Sequence, residues 1–124
     1  MKEISTTAAP ESIGPFSQGL VTDSTVYVSG QGPIDPESGD IINGDVREQT
    51  KQTLENVRAV LDAAGCSLDD IVKATVFVTD MDTYEAVNEV YGEYMNPPFP
   101  ARSAVEVSSL PVPIDVEIEV IAEQ

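Results

Sequence analysis

Apolar positions along the 124-residue chain switch between two periods, and the switches mark out its elements. In DVREQTKQTLENVRAVLDAAG, Val46, Thr50, Thr53, Leu54, Val57, Leu61 and Ala64 recur at steps of three and four, which puts them on one stripe of a helix. Asp45 and Glu48 have capping-box spacing, and Gly65 suits a left-handed stop, so the helix is predicted between them. A second stripe of Tyr84, Val87, Tyr91 and Tyr94 runs through DTYEAVNEVYGEYM. Asp82 and Glu85 repeat the capping spacing there, and Pro97 and Pro98 close the helix.

Elsewhere the period is two. Residues 116–122 alternate openly, with Val116, Ile118, Val120 and Ala122 on one side and Glu117 and Glu119 on the other. Residues 102–107 form the strand before it. Residues 71–79 carry apolar side chains on both parities: Val72, Ala74, Val76 and Val78 on one, Ile71 and Phe77 on the other. A strand of that kind is expected at the centre of a sheet, covered on both faces. Residues 25–29 make a further β-branched strand stopped by Gly30. The segment IGPFSQG is a Gly/Pro-punctuated loop, and GQGPIDPESGDIINGD an ordered, turn-rich one with room for a short strand.

Strands with two interspersed helices predict an α/β sandwich with both helices on one face of a small sheet. The other face then needs a cover, and for so short a chain a second copy of itself is the economical one. No repeat or linker divides residues 1–124, so they read as one domain.

Composition narrows the chemistry. The chain is 41% apolar and 23% charged, within the globular range. No apolar run approaches the ~20 residues of a bilayer span, and MKEISTTAAPESIG lacks the apolar stretch of a secretory signal, so no membrane partner and a cytoplasmic location are expected. Twenty-two acids against six bases give a net charge of −16, which argues against nucleic acid as a partner. The acids are spread along the chain, as on a solvated halophilic surface. A melting temperature indifferent to salt would remove that reading. There is no histidine, so Ser–His–Asp and Cys–His nucleophiles and histidine metal sites are excluded. Cys66 stands alone and is expected to be packed rather than reactive. Acid–base work falls to carboxylates, tyrosines, lysines, hydroxyls or water.

Arg47, Lys51 and Arg58 lie off the helical stripe and read as solvated charges. Arg102, in FPARSAVEV, is different: it stands alone at the mouth of a strand among prolines. Its fork of donors matches a carboxylate, either a ligand's or, structurally, that of Glu106 on the same strand face. Glu117 and Glu119 share parity ~7 Å apart, a spacing that suits a general acid and base as well as any wet strand edge. Ser29 and Gly30, in VSGQGP, sit where backbone can approach a ligand closely, though turn chemistry also explains the glycine. Asn88, on the second helix, is ambiguous.

The order and spacing of IGPFSQG, VYVSGQGP, QTLENVRAVLDAAG, DIVKATVFVTDM, VNEVYGEY, FPARSAVEVSSLP and VEIEVIA resemble the RidA (YjgF) family of reactive-intermediate deaminases over essentially the whole chain. The resemblance implies an α+β, chorismate-mutase-like fold: a mixed sheet with two helices packed on one face. It also implies a homotrimer in which three sheets wall a barrel and ligand clefts lie between subunits. The activity implied is cofactor-free hydrolysis of small 2-imino or enamino acids to 2-oxo acids and ammonia. By motif, Arg102 would clamp the substrate carboxylate and Glu117 would position or activate water. Ser29, Gly30 and Asn88 would line the cleft. Phe16 stands where many members have tyrosine, losing a hydroxyl, and Ala104 stands where many have cysteine. The rival expectation is a trimer that binds small 2-oxo carboxylates without turnover.

Overall fold

The computed structural model describes residues 1–124. Eight elements follow in order: β1 (Lys2–Ile4), β2 (Gly19–Thr22), β3 (Thr25–Gln31), α1 (Val46–Ala63), β4 (Ile71–Val78), α2 (Tyr84–Tyr94), β5 (Ala101–Glu106) and β6 (Val116–Glu123). The strands form one mixed sheet in the order β1-β2-β3-β6-β4-β5. Every pairing is antiparallel except β4 with β5, which are parallel and joined across α2.

Both helices cover one face, as expected. The even-numbered residues of β6, from Val116 to Ala122, are almost wholly buried, together with Val26, Val28, Ala74, Val76 and Val78. They meet Leu54, Val57, Val60 and Leu61 of α1 and Val87 and Val90 of α2 in a single core. Removing a fully buried side chain such as Leu54 should cost about 2–5 kcal/mol. The ends of α1 fall as expected, with half of the capping box formed: the Asp45 carboxylate accepts from Glu48 N at 3.0 Å without a return bond from the Glu48 side chain, and Gly65 takes φ +78°. Thr50 and Thr53, buried on the stripe, return their hydroxyls to the Val46 and Gln49 carbonyls at 2.7 and 2.8 Å. No helix is long and apolar enough to cross a membrane.

Several expectations are corrected. Strand β3 does not stop at Gly30 but runs through it to Gln31, with a register shift between Val28 and Gln31. In β4 a shift between Ile71 and Lys73 turns Ile71 inward and leaves Val72 45% exposed, so Val72 does not share the face of Ala74. Lys73, Thr75 and Phe77 are only half-buried, so a single chain covers β4 fully on one side alone. Asp82 does not cap α2. Asp80 instead accepts from Asp82 N at 2.9 Å and caps a short 3-10 turn, Met81–Thr83, that leads into the helix. The strands β1 and β2 carry no periodic signature that announces them. The loop after Gly30 contains only an isolated bridge between Ile34 and Ile41.

Two buried amides fix the loops around the sheet ends. Asn56 on α1 donates to the Gly32 and Ile34 carbonyls at 2.9 and 2.8 Å, tying down the turn after β3. Gln49 exchanges two bonds with Asp115, the residue before β6, at 2.9 and 3.0 Å. Buried amides so paired are structural anchors, since an orphaned polar group there would cost about 1–3 kcal/mol.

Candidate active site

Arg102 lies on the edge strand β5 opposite Ala74 of β4, and side-by-side residues share a face, so its side chain projects toward the helices. There α2 presents Tyr84, Asn88 and Tyr91 at i, i+4 and i+7, one helical stripe. Asn88 Oδ1 accepts from Arg102 Nη1 at 2.8 Å, and the Tyr84 hydroxyl accepts from Nη2 at 2.5 Å. The guanidinium carbon sits 4.7 Å from the Tyr91 ring centroid and 5.6 Å from that of Tyr84, within cation–π range. Burial pushes the Tyr91 hydroxyl above its ordinary pKa, partly opposed by Arg102, and that hydroxyl has no hydrogen-bond partner.

The structural alternative for Arg102 fails. Glu106 accepts from Met81 N at 2.7 Å instead, and the chain's ion pairs are Arg47–Glu89 and Arg58–Glu55. Arg102 is therefore held entirely by neutral acceptors and ring faces, and its charge is uncompensated within the chain.

Glu117 lies on β6 opposite Phe77, on the face away from the helices. It is half-buried, and its carboxylate rests against Gly30: a Cβ at position 30 would stand 2.8 Å from Glu117 Cδ and 2.9 Å from Oε1. Only glycine leaves room for the carboxylate at that point. Burial, and secondarily the charge of Glu119, raise the Glu117 carboxyl above the usual carboxylate range. Both glutamates face the same way, but Glu119 is exposed and borders a recess of about 510 Å³ with Phe16, Ser17, Tyr27, Ser29 and Ile121. Of the two, Glu117 is the sheltered one.

The remaining candidates divide between these two faces. Phe16 is 54% exposed at the mouth of the recess. The Ser29 hydroxyl donates to the Ser17 carbonyl at 2.6 Å, pinning the IGPFSQG loop to β3. Ala104 is half-buried on β5, two residues beyond Arg102 on the helix side. Cys66 is buried, as expected, and desolvation, then the charge of Asp70, push its thiol up. A larger recess of about 630 Å³ at the N-terminal segment includes Phe16 but neither Arg102 nor Glu117.

The candidate residues therefore fall into two groups on one chain. Arg102, Asn88 and Ala104 lie on the helix side of the sheet; Glu117, Gly30, Ser29 and Phe16 lie on or beside the open side. Strand β4 separates β5 from β6, and the two key side chains project in opposite directions, so they do not meet within a chain. Tyr84 and Tyr91 join the Arg102 group as well. Sequence reasoning placed them only on a core stripe, although their i, i+7 spacing around Asn88 was the available signal.

Fold and site together define a domain of the Endoribonuclease L-PSP class, whose family model matches residues 6–124. A RutC family protein of Pyrococcus horikoshii is 50% identical over 123 residues, which cover 98% of this chain and 98% of that protein. The 2-iminobutanoate/2-iminopropanoate deaminase of Capra hircus is 49% identical over 121 residues, covering 98% of this chain and 88% of that protein. The crystal structure of E. coli TdcF with bound serine superimposes with a TM-score of 0.94 at 44% identity, covering 100% of this chain and 99% of that one. The chain belongs to the RidA (YjgF) family.

Proposed function

We propose that the protein hydrolyses small 2-imino and enamino acids, such as 2-iminobutanoate and 2-iminopropanoate, to 2-oxo acids and ammonia. It does so in clefts shared between copies of a homotrimer with the chorismate-mutase-like barrel arrangement. The observation that carries the reading is Arg102, a guanidinium without a carboxylate partner in a chain of 22 acids and six bases. A charge kept free in such surroundings is suited to an external anion, and its planar fork suits a carboxylate. The relatives named 2-iminobutanoate/2-iminopropanoate deaminase, and the neighbour with bound serine, itself a small amino acid, support the same substrate class.

In the reaction, Arg102 of one copy binds the substrate carboxylate and holds C2 of the imine near a water. Glu117 of a neighbouring copy takes a proton from that water as its oxygen bonds to C2 and the C=N π electrons move to nitrogen. Glu117 returns that proton to nitrogen to give the neutral carbinolamine. It then relays the carbinol O–H proton to nitrogen as C=O forms and the C–N bond breaks, so ammonia leaves and the carboxylate is again ionised. A raised carboxyl pKa brings Glu117 closer to the range where a carboxylate accepts a proton usefully. Gly30 gives its carboxylate room, and Phe16 walls the open side. The uncatalysed reaction proceeds in water, so orientation plus one acid–base group, worth about 10²–10⁴-fold, is sufficient.

The test is a dehydratase-coupled assay that follows imine loss and 2-oxo acid formation. Wild-type protein should accelerate hydrolysis catalytically, and Arg102→Ala should abolish the acceleration. Wild-type rates in Arg102→Ala would overturn the role of the arginine. A strictly stoichiometric effect of the wild type would favour the non-catalytic binding protein, the reading to which the missing hydroxyl at Phe16 lends weight.

A further inference from the structure

Tyr84 is the neighbour of Arg102 whose hydrogen-bonding capacity is half used. Its oxygen accepts from Nη2, yet its own O–H has no acceptor within the chain. The side chain is half-buried rather than enclosed, unlike Tyr91, which is only 6% exposed. Arg102 likewise keeps three of its five N–H donors after serving Asn88 and Tyr84. Guanidinium and phenol thus present unspent donors side by side, in contact through the 2.5 Å bond between them. An anion drawn to the cation arrives next to a hydroxyl with a hydrogen to give. A carboxylate has about four lone-pair sites, so it can accept from both at once.

We propose that Tyr84 contacts the ligand directly: its hydroxyl, oriented by Arg102, donates its hydrogen to the carboxylate that Arg102 binds. The proposal rests on the reading of Arg102 as the carboxylate site and adds a second donor to it. Tyr84 thereby supplies, on the arginine's side of the cleft, a hydroxyl that Phe16 does not supply on the other. The same arrangement favours a carboxylate over an amide or ester, whose oxygens are weaker acceptors.

The two possible roles of the phenol, donor to the ligand or mere prop for the arginine, respond oppositely to fluorination. Fluorine beside the hydroxyl makes the O–H a better donor and the oxygen a poorer acceptor. Binding of 2-oxobutanoate should be measured calorimetrically on the full-length protein for wild type, Arg102→Ala, Tyr84→Phe and a protein with 3-fluorotyrosine placed at 84. The pH is kept below the pKa of the fluorinated phenol, and circular dichroism melts confirm that each variant is folded. We expect wild type to bind, Arg102→Ala to lose binding, Tyr84→Phe to weaken it about 10-fold, and the fluorinated protein to bind more tightly than wild type. Unchanged affinity in Tyr84→Phe, or unchanged or weaker affinity in the fluorinated protein, overturns the contact while leaving Arg102 in its role. Wild-type affinity in Arg102→Ala, or no binding by the wild type, overturns the carboxylate site itself and Tyr84 with it.

Discussion

Two arginines in this protein are built from nearly the same parts and end in opposite states. On the outer surface, Arg58 lies over the Tyr94 ring at 5.3 Å and reaches both oxygens of Glu55 at 3.1 and 3.0 Å. The Tyr94 hydroxyl donates to the same carboxylate at 2.8 Å. Burial, then that hydrogen bond, push the Tyr94 phenol up to about 12. At the α2–β5 edge, Arg102 also lies over a tyrosine ring, but there a tyrosine hydroxyl accepts from the guanidinium itself, and the other acceptor is the amide of Asn88 rather than a carboxylate. Where the acceptor is Glu55, cation and anion cancel and the cluster is closed. Where it is Asn88, the guanidinium is oriented with its charge intact. An uncharged amide in place of a carboxylate separates a neutralised surface arginine from one whose charge stays free.

The largest test exploits the separation of Arg102 and Glu117 onto opposite sides of the sheet. Arg102→Ala and Glu117→Gln should each lower turnover by about 10²-fold or more. If each cleft draws one of these residues from each of two copies, co-refolding equal amounts of the two inactive variants should restore about a quarter of the sites. No recovery, in samples whose mixed oligomers are confirmed by mass, would return both residues to one chain.

Next in size is the conversion of the open arginine into a closed one. Asn88→Asp keeps the acceptor and adds a charge, so 2-oxo acid affinity should fall about 10-fold or more, further than in Asn88→Ala. Equal losses in the two variants would mean that neutrality at 88 is unimportant.

If Glu117 is the base proposed above, it acts ionised, and the acid limb of the pH–rate profile should be displaced upward by the causes that raise its carboxyl. Turnover then falls as pH drops through that raised value. Glu119→Gln removes the smaller cause and should shift the limb partway to lower pH, whereas desolvation remains. Stability follows the opposite sense. A raised carboxyl favours folding while protonated, and that contribution is lost as pH rises from the unfolded to the folded value. Glu117→Gln should therefore melt higher than wild type near neutrality, with the gap closing in acid. Smallest of all, Arg58→Ala should leave turnover unchanged and cost at most about 1 kcal/mol, as expected of an exposed pair.

What the sequence disclosed, and what it concealed, follows the range of the interactions involved. Helix α1 was legible from its stripe and both ends, since Asp45 and Gly65 act locally. The alternation of β6 placed Glu117 and Glu119 opposite the core before any fold was known. The cap of α2 was misread because Asp80 and Asp82 are both plausible acceptors, and only the intervening 3-10 turn decides between them. Strands β1 and β2, of three and four residues, are too short to show a period; their partners define them. The direction of Arg102 depends on the parallel register of β4 and β5, a contact between segments that a whole helix separates. Its sequence context marked it as unusual, but not which way it looked or that Tyr84 and Tyr91 would hold it.

The bare backbone at Gly30 has a consequence for how this chain can change over time. Positions 30 and 117 occupy one volume, and the carboxylate of the second fills space that any methyl on the first would claim. The constraint runs one way: an alanine at 30 displaces the acid from its shelter, whereas a smaller residue at 117 leaves the glycine undisturbed. Across descendants of this sequence, lines that keep the sheltered glutamate should keep the glycine, while glycine should outlast glutamate in lines that lose the acid.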